Sequence, residues 1–175
     1  SARNPLTRGI DLPQTIRYAV FAGVPKNRIL LDFENLTLPQ CFSIMIAIKP
    51  FIDPNRANRY LWELRRYLGV NVSKSERAQQ LLAEVRCFLA EALSSREVVE
   101  KIQQSEHVWL EPTPEGFVIL IADVAGYLQA SGRTSRLYAG GISKGASFLI
   151  VDNVKAFNDL RRKLSWFVEE ASFKR

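Results

Sequence analysis

The apolar residues change period twice along this chain of 175 residues, and no other feature constrains the fold as much. Ile16, Tyr18, Ala19, Val20, Phe21 and Val24 form a short apolar, β-branched and aromatic run bounded by Pro13 and by Gly23-Val24-Pro25. Such a run reads as a buried strand. The stretch Ile29 to Phe33 reads as a second one. From Thr37 to Glu106 the period is helical. Pro39 can open a helix that runs to Ile48 and is stopped by Pro50. Tyr60, Leu61, Leu64, Tyr67 and Leu68 recur at helical spacing, and Gly69 follows as the residue past the helix end. Ser73 with Glu76, and later Ser94 with Glu97, form capping-box patterns. Between them Leu81, Leu82, Val85, Phe88, Leu89, Ala92 and Leu93 make one apolar face, on which Cys87 is expected as a small core residue. After His107 the strand period returns. The segments 107–110 and 117–121 flank a turn-rich 111–116 and read as a hairpin. Asp123 can cap a helix through Ala130, 147–151 reads as a buried strand, and Asp152 or Asn153 can cap a last helix carrying Phe157, Leu160, Leu164 and Phe167. The expected fold class is α/β. Residues 1–36 and 107–175 form one domain, interrupted by a helical insert at 37–106.

The charge balance adds a weak constraint. A net charge of +6 and a pI near 9.5 suit a polyanionic partner, but a basic globular protein with no such role fits them equally well. Two distant cysteines and a single His107 exclude a usual zinc site within the chain. No signal peptide, transmembrane run or lipidation motif is visible, so no membrane partner is expected and a cytoplasmic location is the default. Tyr18, Tyr60, Tyr67, Tyr127 and Tyr138 have no context that marks one as a nucleophile and read as packing or surface residues.

The chemistry concentrates in Gln129-Ala130-Ser131-Gly132-Arg133-Thr134-Ser135-Arg136, which has the form Q-x-x-G-R-x-x-R at the end of an expected helix. A phosphoryl group in transfer spreads negative charge over its oxygens, and catalysis of that transfer is largely electrostatic. Arginine is always protonated and offers phosphate a planar fork. Arg133 and Arg136, three residues apart, can converge on one triphosphate, Gly132 lets the backbone approach, and Gln129 can orient water or reach a phosphate oxygen. A surface turn with two solvated arginines would also account for this motif alone. A second motif, Thr7-Arg8-Gly9-Ile10-Asp11-Leu12-Pro13, precedes the first strand. Asp11 can accept from a ribose hydroxyl, while Thr7, Arg8 and the Gly9 amide suit phosphate.

In this order the two motifs resemble motifs V and VI of superfamily 2 helicases. The surrounding segments RGIDLPQTIRYAVFAGVPK and YLQASGRTSRLYAGGIS, with the tail FNDLRR and Trp166-Phe167, narrow the resemblance to reverse gyrase. The resemblance implies an incomplete RecA-like parallel sheet, the second of two in the helicase-like half of the parent. It implies that Arg133 and Arg136 are arginine fingers with Gln129 and Gly132 beside them, and that Arg8, Gly9 and Asp11 bind nucleotide. It implies that the insert at 37–106 is a latch coupling the helicase module to a type IA topoisomerase, in a parent that uses ATP to introduce positive supercoils into DNA. A hyperthermophilic source is implied by the family alone. Gln129 and Ala130 stand where His and Arg are usual in DEAD-box proteins, which argues against an ordinary RNA helicase.

The sequence has no G-x-x-x-x-G-K-[ST] loop and no D-E-x-x acid pair. The ligands for magnesium, the first RecA-like domain and the topoisomerase domain are therefore expected outside this chain, and the chain alone is expected to be inactive. Arg56, Arg59, Arg65, Arg66, Lys74 and Arg77, interleaved with Tyr60, Trp62 and Tyr67, could form a DNA-facing surface, and a solvated helix face with buried aromatics is the competing reading. The second domain of another superfamily 2 helicase, or a non-catalytic DNA- or protein-binding module, remain as alternatives.

Overall fold

The computed structural model describes residues 16–69, 71–114, 116–134, 137–138, 141–142, 145–167 and 173–174. In chain order the elements are β1 (Tyr18–Phe21), β2 (Lys26–Leu30), α1 (Leu38–Ile48), α2 (Pro54–Tyr67), α3 (Glu76–Ser94), α4 (Arg96–Gln104), β3 (Trp109–Thr113), β4 (Gly116–Ala122), α5 (Val124–Ser131), β5 (Leu137–Tyr138), β6 (Gly141–Ile142), β7 (Ala146–Leu149) and α6 (Val154–Leu164). Single 3₁₀ turns occupy Lys49–Phe51 and Val72–Lys74. The chain divides into two compact units, one made of 1–27 with 122–175 and the other of 28–121.

The second unit is built on α1, α2 and α3. The Thr37 N–H donates to Gln40 Oε1 at 2.8 Å, and Pro39 occupies the first turn of α1. Pro50 ends that helix in a 3₁₀ turn, because the ring denies the backbone a donor. Asp53 Oδ1 accepts from the N–H groups of Asn55 and Arg56 and starts α2, which Gly69 follows at a φ of 89°. Ile44, Met45, Ile48, Leu64, Leu81, Val85, Leu89, Ile102 and Ile119 are shut off from solvent entirely and form the centre of this core. Each such side chain contributes about 1.5–3 kcal/mol by its burial. The guanidinium of Arg86 donates through Nε and Nη2 to the Leu36 carbonyl at 2.9 and 2.6 Å, tying the segment ahead of α1 to α3.

Three local expectations shift. Ser75, not Ser73, caps α3, with its Oγ accepting from the Ala78 N–H at 3.3 Å, while Ser73 lies in the preceding 3₁₀ turn. Ser94 is the last residue of α3, and its hydroxyl donates to the Ala90 carbonyl at 2.7 Å; α4 starts after Ser95. Cys87 is exposed, and the buried cysteine is Cys41 in α1. The burial of Cys41 pushes its thiol up to about 11.

The helices share their unit with strands. β4 lies between β2 and β3 in a three-stranded sheet, and β3 pairs antiparallel with β4 in the register Trp109 to Leu120 through Thr113 to Gly116. The compact unit therefore extends past 37–106 on both sides, to Arg28 and Ile121.

The first unit holds the parallel pair. Tyr18 to Phe21 align with Ala146 to Leu149, and the N–H of Ile150 continues the ladder to the Phe21 carbonyl. Val24, Ala122, Ala156, Leu160 and Leu164 form its core, with Tyr127, Leu128, Leu149 and Phe157 packed around them. The molecule is thus mixed α/β, with a two-stranded parallel sheet and helices, as an incomplete RecA-like sheet requires. β1 and β7 are not buried on both faces, contrary to the reading as buried strands. Tyr18 and Val20 are 67% and 68% exposed, and Phe148 beside them is also exposed. Side chains alternate across a strand, and the described helices cover only the face that carries Phe21 and Leu149.

Candidate functional site

The helix α5 carries the first half of the arginine motif, and its root is fixed from three directions. Asp123 Oδ1 accepts from the Gly126 N–H at 2.9 Å and caps the helix. The Asp123 N–H donates to the Pro25 carbonyl at 2.8 Å, joining α5 to the loop that follows β1. Asp159 of α6 is 3% exposed and accepts from the Ala122 N–H at 3.1 Å, just before the cap. Arg162 and Lys163 donate to the same carboxylate at 3.1 and 2.7 Å, so this buried charge is fully compensated. The ring of Tyr127 packs on Phe21 with centroids 5.0 Å apart.

The loop after β1 is held at the carboxyl end of the parallel pair. Asp152, just past β7, accepts from the Val24 N–H at 2.7 Å and from Lys26 Nζ. These bonds, the one from Lys26 foremost, hold the Asp152 carboxyl below its ordinary range. Gly23 sits at a φ of 120°, and a Cβ there would lie 3.1 Å from the Asp152 carboxylate. The Gly23-Val24-Pro25 break seen in the sequence is therefore a fitted turn, needed both for its backbone angle and for its contact.

At the other end of α5, Gln129 is exposed in the last turn. Gly132 is the C-cap, with its N–H donating to the Leu128 carbonyl at 2.8 Å. Its φ of −63° is ordinary for any residue, and a Cβ there would come within 3.0 Å of the Leu128 carbonyl oxygen. Arg133 is half-buried. Its Nε is shielded from solvent and finds no acceptor among the described residues, and the same holds for the hydroxyl of Ser131. Thr134 is buried, with its hydroxyl donating to the Ser131 carbonyl at 2.8 Å. Gly145 presses against it: a Cβ on Gly145 would fall 2.1 Å from the Thr134 carbonyl oxygen. The glycine-rich stretch 140–145 thus has a packing requirement at its last residue that spacing alone could not show.

Thr7, Arg8, Gly9, Asp11 and Arg136 lie outside the described residues. The structure brings Gln129, Gly132 and Arg133 onto one helix end. Sequence reasoning missed Asp152 and Asp159 as anchors. Only Asp159 had a signal, an acid three and four residues ahead of Arg162 and Lys163.

The basic helical residues divide by their partners. Arg56 lies over the Phe88 ring at 4.4 Å and pairs with Glu91 at 3.4 Å, and Arg77 pairs with Glu63 at 3.3 Å. Arg59 lies over Tyr60 and Arg66 over Trp62, at 4.8 and 4.9 Å. Arg65 and Lys74 are exposed. Among the described residues no cluster of His, Cys, Asp and Glu could hold a metal ion, and no helix is long and apolar enough to cross a membrane.

No family model matches the chain. Individual relatives do. Reverse gyrase 1 of Aquifex aeolicus is 39% identical over 186 aligned residues that cover 100% of this chain. Reverse gyrase of Pyrobaculum aerophilum is 35% identical with 99% of the chain covered, and that of Pyrococcus furiosus 38% identical with 94% covered. The chain spans only 15–16% of the length of these three relatives. Over essentially its whole length, the chain is therefore related to one stretch of the reverse gyrases, the family that its motifs resemble.

Proposed function

We propose that this chain is part of an ATP-dependent DNA topoisomerase that introduces positive supercoils, and that its α/β unit supplies arginine fingers to the ATP site. The observation that carries the reading is the match of the whole chain to a stretch of reverse gyrases, with Gln129, Gly132 and Arg133 of the Q-x-x-G-R-x-x-R motif at the end of α5. The geometry supports it. A helix rooted by Asp123 and Asp159 carries Gln129 and Arg133 at its carboxyl end, and the Arg133 Nε finds no acceptor among the described residues.

In this reading ATP and its magnesium sit on another domain of the parent, a first RecA-like domain that holds the phosphates. Arg133 and Arg136 neutralise charge on the transferred phosphoryl group, and Gln129 orients the attacking water. Arg8, Gly9 and Asp11 contact the nucleotide, and Thr7 contacts the nucleic-acid backbone. The helical unit acts as the latch, facing DNA or a type IA topoisomerase domain of the same parent, in the cytoplasm. Among the described residues Arg59, Arg65, Arg66 and Lys74 have no carboxylate partner and can turn to phosphate, whereas Arg56 lies over Phe88 and pairs with Glu91.

The test is made in the intact parent. Arg133→Ala and Arg136→Ala should each lower DNA-stimulated ATP turnover by roughly 10³-fold while nucleotide affinity changes little. Turnover near that of the unaltered parent in both variants refutes the finger role. The 175-residue chain by itself should show no ATP hydrolysis.

A further inference from the structure

We infer that the outer face of α2 is a stacking site for unpaired bases, centred on Trp62. The inference deepens the proposed function by naming the form of DNA that the helical unit takes.

Trp62 is 63% exposed, an unusual position for the largest apolar side chain. Residues 55, 59, 62 and 66 recur at steps of four, three and four, so Asn55, Arg59, Trp62 and Arg66 share one face of α2. Arg59 and Arg66 bracket the indole along the helix, about 10 Å apart in rise. Arg65 lies alongside. The helix carries four arginines against one glutamate, and that Glu63 is already paired with Arg77. The ion pairs among the helices, Arg56–Glu91, Arg77–Glu63, Arg96–Glu100 and Lys101–Glu97, take in none of Arg59, Arg65 and Arg66. Among the described residues the face is therefore cationic, with no ion pair to Arg59, Arg65 or Arg66, around an exposed aromatic ring.

A structural role accounts for part of this. Arg65 and Arg66 in the last turn complement the helix dipole. Their position does not account for Trp62. The guanidinium of Arg66 lies 4.9 Å from the indole centroid, which orders both groups before any ligand arrives. The residue keeps most of its surface in water even so. Indole next to a planar cation is the pairing that holds single-stranded nucleic acid, in which every base offers a π-face and the backbone follows the positive charge. In a duplex the base faces are already covered, so Trp62 adds nothing there and the arginines meet only phosphates. The chemistry thus favours an unpaired strand, a DNA form that any enzyme parting the two strands must expose.

The experiment uses the 175-residue chain without nucleotide, a dye-labelled dT20 strand and a 20-base-pair duplex, with binding followed by anisotropy. Trp62→Ala should weaken dT20 binding roughly ten-fold and leave duplex binding within about two-fold, and Trp62→Phe should retain most of the affinity. Arg59→Ala with Arg66→Ala should reduce the slope of log affinity against log salt by about 0.7 per arginine on the single strand. Far-UV circular dichroism identifies any variant that has lost its helices; Trp62→Phe and the arginine pair then carry the test. Three outcomes overturn the inference: Trp62→Ala without effect on dT20; equal losses on strand and duplex; or no saturable dT20 binding by the unaltered chain. None of them depends on ATP turnover, so they are distinct from failure of the arginine-finger reading.

Discussion

Gly145 shows how one residue can constrain the segment beside a candidate site through packing alone. The position of its absent Cβ, 2.1 Å from the Thr134 carbonyl oxygen, is blocked by backbone that no side-chain rotation can move. Gly145→Ala must therefore displace the segment that follows Arg133. The expected cost is about 1–3 kcal/mol, in line with overpacking elsewhere. Urea unfolding of the variant should show the loss in the α/β unit only; an unchanged midpoint for that unit counts against the contact. Such a requirement could not be read from the sequence, where Gly140-Gly141 and Gly145 look like a connector. The arginines are a different matter. Their residue type and spacing are visible in a string of letters, and the proposed phosphate role rests on both. The anchoring carboxylates are less legible: the spacing of Asp159 to Arg162 and Lys163 is local, but its bond to Ala122, and that of Asp152 to Val24, join residues distant in the chain.

At the scale of elements, periodicity locates a helix well and its rotation less well. The run from Leu81 to Leu93 is one helix with its apolar side inward, as expected. The edges slip because neighbouring serines offer alternative caps: at α3 it is the Ser75 hydroxyl that accepts from a free N–H, that of Ala78, whereas at α4 Ser95 takes the cap position without a side-chain bond and Ser94 turns its hydroxyl back to the Ala90 carbonyl. Cys87 was placed on the wrong side by the same limit: it lies between Val85 and Phe88 in sequence but turns outward in α3. The two thiols should consequently differ in reactivity. In the folded chain at neutral pH, Cys87 should react promptly with a disulfide reagent, while Cys41, buried and with its thiol pushed up to about 11, should react only on unfolding. Mass spectrometry of the partly labelled chain checks this, and rapid labelling of Cys41 would contradict the packing of α1. The strands β1 and β7 are each legible from their composition, but their exposed face is not, since an apolar run looks the same whether one side or both are covered.

For the whole molecule, the sequence shows an α/β pattern interrupted by helices, and the structure shows where the interruption gathers into a compact body, from Arg28 to Ile121. The strands β2, β3 and β4 pack with the helices, although by pattern alone they are indistinguishable from the strands of the α/β unit. This arrangement has a consequence in time. The two strands of the parallel pair are encoded at opposite ends of the chain, and the Val24–Asp152 bond closes a separation of 128 residues. Closing so long a loop in a random chain is entropically costly and slow. The helical body is local in sequence and can form first, and its first and last strands along the chain, β2 and β4, are hydrogen-bonded neighbours, which shortens the remaining search. Refolding followed by pulsed hydrogen exchange should therefore protect the amides of α1 to α3 before those of β1 and β7. A core-weakening change such as Leu64→Ala, worth about 2–5 kcal/mol within the helical body, should delay protection in β1 although it lies in the other unit. Simultaneous protection everywhere would mean that the chain has no such order. With it, the inserted body serves as the template on which its own host is assembled.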